Sequence, residues 1–137
     1  MVNERSKVKM LEQKKAIVEG LKTHFPAILF FEDEIAEDEE QEFINDKRYH
    51  ANVLQMGDFL PSSSSGKLTQ LFSIDYYSEE RDDVDETLLD IISTVSKVPT
   101  VDFIKTTKIR MRAGETDRYV DVTTLSFRRS IKYECGL

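Results

Sequence analysis

From Asn3 to Pro26 the chain reads NERSKVKMLEQKKAIVEGLKTHFP, in which Leu11, Lys14, Val18 and Leu21 recur at helical spacing and Met10 and Ile17 widen the stripe. The spacing predicts an amphipathic helix. Pro26 ends it, because the residue before a proline resists the helical region. His24 falls in the last turn, where a cation suits the exposed carbonyls, a simpler role than metal ligand. AILFF (Ala27 to Phe31) is a short apolar strand candidate, and RYHANVLQM (Arg48 to Met56) alternates as a second strand. Between them lies an acidic stretch that reads as a loop. GDFLPSSSSG (Gly57 to Gly66) then predicts a mobile loop or hairpin connection, whose exposed Phe59 and Leu60 suit an interface.

Lys67 to Tyr77 predicts a third strand with Leu68, Phe72, Ile74 and Tyr76 on one face. Leu71 and Tyr77 on the other face predict cover on both sides. A helix follows, with Asp83 as N-cap, Glu86 completing a capping box, and a stripe of Val84, Leu88, Ile91, Ile92 and Val95; Pro99 marks its end. VDFIKTTKIRMRA then sets Val101, Phe103, Thr107, Ile109 and Met111 opposite Lys108, Arg110 and Arg112. AGETD turns the chain into RYVDVTTLSFRRSIKY, where Tyr119, Leu125, Phe127, Ile131 and Tyr133 share a parity. These two segments predict a long antiparallel hairpin with one apolar and one polar, basic face. The order of elements predicts an α+β domain, a mostly antiparallel sheet with two helices packed on one face.

A chain of 137 residues is most simply one domain, 1–137, able to bury a single core. No apolar run approaches the ~20 residues that span a bilayer, and the polar N-terminus does not read as a signal peptide. Synthesis in the cytoplasm is the expectation. Cys135 is the only cysteine, which excludes an intrachain disulfide and a cysteine-based metal cluster. The net charge of −7 argues against nucleic-acid binding by the whole protein, but the charge is unevenly spread. Residues 101–137 carry a balance of +3 and the first hundred −10, and eight of the eleven residues from Glu32 to Glu42 are acidic. Such polarity can attract further copies, acidic edge to basic edge. A solvated acidic loop beside a mixed-charge sheet is the plainer reading of composition alone.

Candidate chemistry is sparse. SSSSGKL fails as a phosphate loop because Pro61 stands where glycine is required, Leu68 follows Lys67, and a strand follows in place of a helix. His24 and His50 lie on different elements, too few for a zinc site. The acidic stretch lacks the alternating ligands and central glycine of a calcium loop. A carboxylate nuclease would draw Asp75, Asp102 and Lys105 around Mg²⁺, yet Asp102 and Lys105 have opposite strand parity unless a bulge intervenes. No catalytic, cofactor-binding or metal-binding residue is assigned.

LKTHFP running into ILFFEDEI, LFSIDYYSEERDD followed by LLDIISTV, and the closing VDVTTLSFRRSIKY occur here in order. Over most of its length the chain thereby resembles the tail terminator, or tail completion, proteins of long-tailed bacteriophages and related prophage elements. The dense acid of Glu32 to Glu42 has no counterpart in that pattern. The resemblance implies a small sheet-and-helix protein assembling into a six-membered ring in the neck of the virion. Such a ring caps the tail tube protein, stops tube growth and offers a docking surface to head-completion proteins. DNA passes through its bore without specific binding, and neither a cofactor nor a membrane is involved.

Ring formation would bring the acidic patch, with Glu37, Asp38, Glu39 and Glu40, against Arg110, Arg112, Arg128 or Arg129 of a neighbour, with Phe59 and Leu60 adding apolar contact. A head-side connector of twelve copies is the nearest alternative. The nuclease and a small monomeric binding module are the others.

Overall fold

The computed structural model describes residues 2–133. Helix α1 (Glu4–His24) leads to strand β1 (Leu29–Glu32), helix α2 (Glu37–Asn45) and the strands β2 (His50–Pro61) and β3 (Lys67–Ser78). Helix α3 (Val84–Ser96) and the strands β4 (Val101–Arg112) and β5 (Tyr119–Lys132) complete the chain. The five strands form one sheet in the order β1-β2-β3-β5-β4. Only β1 and β2 run parallel; the other three pairings are antiparallel. The mostly antiparallel α+β class read from the residues stands, with a third helix added.

Alternation along β3 and β5 divides the apolar residues between two faces. Phe72, Ile74, Tyr76, Leu125 and Phe127 pack with Ile17 and Leu21 of α1 and Ile91 and Val95 of α3, forming the main core. The Phe72 and Phe127 rings stack at 5.3 Å between centroids. Burying each such side chain contributes about 1.5–3 kcal/mol, so this face supplies most of the cohesion. Val53 of β2 and Val120 and Val122 of β5 point the opposite way and, with Ala51, pack under Phe43 of α2. The closing hairpin therefore has apolar residues on both faces, at different ends. A single apolar face had been expected.

The acidic stretch is not a loop. Glu37 to Glu40 fill the first turn of α2, where carboxylates suit the positive helix end, and Glu40 N donates to Ala36 O at 2.8 Å. Phe43, buried and stacked on Tyr49 at 4.6 Å, anchors the helix. A nine-residue helix with Phe43 as its one buried residue is too short to show a repeating apolar stripe. Similarly, β2 continues through Gly57 to Pro61 where a loop was expected, with a register shift between Met56 and Phe59. Gly57 permits this course, because a Cβ there would lie 2.9 Å from the Leu71 carbonyl oxygen. Two smaller expectations also change. Leu11 is 70% exposed and lies off the buried stripe of α1. Asp83 makes no side-chain cap bond, because Arg81 Nε and Nη2 take its carboxylate at 2.9 and 3.0 Å.

Candidate functional site

The sheet ends in two free edges of opposite character. On one side is β1, four residues long, joined through Asp33–Ala36 to the acidic first turn of α2. On the other is β4, twelve residues long, of which only Val101 is buried. It pairs with β5 alone, so its outer row of backbone donors and acceptors faces solvent. Lys105, Lys108, Arg110 and Arg112 outnumber the single acid, Asp102, along it. Phe103, Ile104, Ile109 and Met111 add exposed apolar surface.

A register shift between Phe103 and Lys105 changes the parity of β4. Val101 and Phe103 lie opposite Arg129 and Phe127, on the face of α1 and α3, whereas Thr107, Ile109 and Met111 lie opposite Thr124, Val122 and Val120, on the α2 face. Sequence parity had placed all five together. Arg110 and Arg112 consequently share the α1/α3 face with the first two. Arg110 Nε donates to Asp121 Oδ1 at 3.0 Å, and that hydrogen bond raises the guanidinium pKa above its ordinary value. Arg112 lies over the Tyr119 ring at 5.9 Å. Arg128 is exposed, 3.7 Å from Asp102. Lys105 and Lys108 have no ion-pair partner among the described residues.

Arg129 departs from expectation. It is 3% exposed, so no neighbour's acid reaches it. Its Nε and Nη2 donate to Gln70 Oε1 at 2.9 and 2.7 Å, and Nη1 donates to the Met10 carbonyl at 3.1 Å and to Gln13 Oε1 at 3.3 Å. Desolvation lowers its pKa. The same Gln13 donates through Nε2 to the Pro99 carbonyl and the Thr100 hydroxyl, at 2.8 and 2.6 Å. Thr100 holds φ 66°, an unusual conformation for a β-branched residue, and turns the chain into β4. Arg129 is thus a brace between α1, β3 and the root of β4. Beside it a groove of about 430 Å³ opens between Met10, Gln13 and Ala16 of α1 and Val98, Pro99 and Ile131.

A second brace holds α2. Arg118 grips Glu79 with Nε and Nη2, both at 2.7 Å, and donates to the carbonyls of Phe43, Ile44 and Lys47, each at 2.8 Å. The guanidinium thus satisfies carbonyls at the α2 C-terminus. Glu79, 3% exposed, also accepts from Tyr49 N at 3.2 Å and from Arg48 at 3.2 Å. Its carboxyl is held below the ordinary value, chiefly by the hydrogen bond from Arg118, against desolvation that would raise it. Neither residue was singled out from sequence. They stand 39 positions apart, and no local pattern couples them.

Phe59 and Leu60 are 50% and 44% exposed, at the far end of β2. Glu37, Asp38 and Glu40 are exposed, and Glu39 lies 4.0 Å from Lys47. The residues considered for a nuclease do not converge. The β4 bulge does turn Asp102 and Lys105 to the same face as Asp75, but Asp75 aligns with Thr124 and Asp102 with Arg128. Four residues along and two strands across separate the two acids by roughly 16 Å. Asp75 instead accepts from the Thr124 hydroxyl at 2.7 Å. His50 Nδ1 and the Tyr76 hydroxyl lie 3.0 Å apart, and burial lowers the imidazole pKa. Among the described residues no three histidine, cysteine, aspartate or glutamate side chains gather as a metal site. Among those residues, too, no helix is long and apolar enough to cross a membrane. Cys135 lies outside the described residues.

No family model matches the chain, and no curated protein matches it. Among solved structures, the core region of PilO from the type IV pilus system of Pseudomonas aeruginosa is similar at 14% identity and a TM-score of 0.34. That match covers 61% of this chain and 83% of the other, and a likeness so slight carries no argument about fold or role.

Proposed function

We propose that this chain is a structural assembly protein of the tail-terminator kind. Its copies close into a ring, six-membered by the resemblance, that caps the tube of a phage tail, stops its growth and offers its other face to head-completion proteins. The observation that carries the reading is the charge beside the two sheet edges: acid in the turn after β1 and the first turn of α2, base along β4. Head-to-tail contact between unlike edges is the kind that closes by rotation. The exposed Phe59, Leu60, Ile109 and Met111 supply apolar surface for contacts that ion pairs, at ~0–1 kcal/mol each, cannot hold alone. A net charge of −7 also suits a bore through which DNA slides without adhering.

Native mass spectrometry of the full chain, with electron microscopy of particles from a deletion strain, tests this. Six copies, with overlong or headless tails in the deletion, are the expected results. Twelve copies would move the protein to the head side of the joint. A monomer at every soluble concentration, with normal tails in the deletion, would overturn the reading. Incubation with plasmid DNA and Mg²⁺ or Mn²⁺ is expected to leave the DNA intact.

A further inference from the structure

We infer that the joint between copies is a backbone joint: the free edge of β4 adds to the free edge of β1 in a second copy, antiparallel, continuing the sheet from subunit to subunit. The inference rests on the self-assembly reading and says how assembly occurs.

Strand direction supplies the first argument. β1 and β2 are parallel, and three antiparallel steps separate β2 from β4, so β4 runs opposite to β1 within one chain. A ring whose axis lies near the strand direction preserves that direction from copy to copy. The β4 edge of one copy then meets an antiparallel β1, the more stable pairing.

Level is the second argument. Glu32, Leu54, Ile74, Leu125 and Thr106 form one row across the sheet, and Leu29, Ala51, Tyr77, Val122 and Ile109 another. The four residues of β1 are therefore level with Thr106 to Ile109. That is the exposed middle of β4, clear of its bulge.

Charge selects the occupant. Lysines on an edge strand ordinarily block pairing. Here Lys105 and Lys108 repel a second β4 but attract an edge flanked by Asp33, Glu34 and the first turn of α2, Glu32 being already paired with Lys14 at 3.2 Å. One surface thus carries both the block and its exception.

The test uses the full chain with Cys135→Ser, in two variants, Thr106→Cys and Glu32→Cys, and a short bifunctional thiol cross-linker. Both substituted side chains are exposed and belong to the same sheet row. Cross-linked dimers in the mixture of the two variants, and in neither alone, are expected. A chain carrying both cysteines should give a ladder of higher species. Dimers from Thr106→Cys alone would mean that β4 meets β4, and would overturn the inference. So would rings seen by native mass spectrometry with no cross-link in the mixture, an outcome that leaves the ring reading standing. In a second arm, Lys105→Glu with Lys108→Glu should abolish assembly, and adding Glu34→Lys with Glu37→Lys should restore it. Assembly unchanged by the first pair would count against the joint.

Discussion

Arg118 and Glu79 show how much a single pair of side chains can organise. The guanidinium closes the end of α2 while the carboxylate, out of water, is satisfied by Arg118, Arg48 and the Tyr49 amide. Removing one partner strands the other, which costs ~3–5 kcal/mol at a buried pair. Arg118→Ala is expected to lower the unfolding free energy by that amount, read as a lower urea midpoint, with α2 affected first. The folded carboxyl of Glu79 lies below its ordinary 4.5, so its stabilisation is complete above that pH and is lost as the pH falls through the folded value. His50, lowered from 6.5 by burial, adds an earlier loss as the pH drops below 6.5, because the unfolded imidazole takes a proton first. Denaturant titrations across this range should show both steps, and Glu79→Gln should flatten the lower one. Arg129 differs, since its hydrogen-bond acceptors are amides and a carbonyl. Among the described residues no carboxylate pairs with its buried charge. Arg129→Met removes the charge but strands the buried Gln70 Oε1, which accepts from Arg129 Nε and Nη2, and is expected to cost ~1–3 kcal/mol, whereas Gln70→Ala strands the charged guanidinium and should cost more.

The helices and strands were legible to different degrees, for reasons visible in their residues. α3 packs Ile91 and Val95 against the main core and carries a repeating stripe, so its limits could be read closely. α2 could not. It buries one aromatic ring against the opposite face, and its acidic first turn has the composition of a solvated loop. Phe43 is thus the residue on which α2 depends. Phe43→Ala should cost ~3–5 kcal/mol, or release α2 alone, and amide hydrogen exchange distinguishes the two by whether protection in α3 survives. β4 was found as a strand but with the wrong faces, because the residue bulged at Ile104 leaves no mark on alternation until its partner strand is known. The extension of β2 past Gly57 was hidden in the same way. Glycine, proline and serines predict a turn, and only pairing with Gln70, Thr69 and Leu68 reveals strand.

For the whole molecule the important asymmetry is electrostatic. Acid and base occupy opposite edges of one sheet, and exposed charges act within about 8 Å at physiological salt. Arg110→Glu with Arg112→Glu is therefore expected to weaken ring assembly while the monomer stays folded; intact hexamers at micromolar protein by native mass spectrometry would count against those arginines. Raising the salt should weaken wild-type rings in the same direction. The residues by themselves determined the α+β class, the main core and the charge imbalance along the chain, because these depend on periodicity and composition, which are local properties. Tertiary structure alone decided that the acidic stretch and the basic strand flank opposite edges of one sheet, and that Arg129 is buried while Arg110 and Arg112 are not. The first outcome depends on strand order, and the second on α1, which covers Arg129 on the face it shares with Leu125 and Phe127 while β4 stands at the sheet edge; contacts between segments far apart in the chain set both.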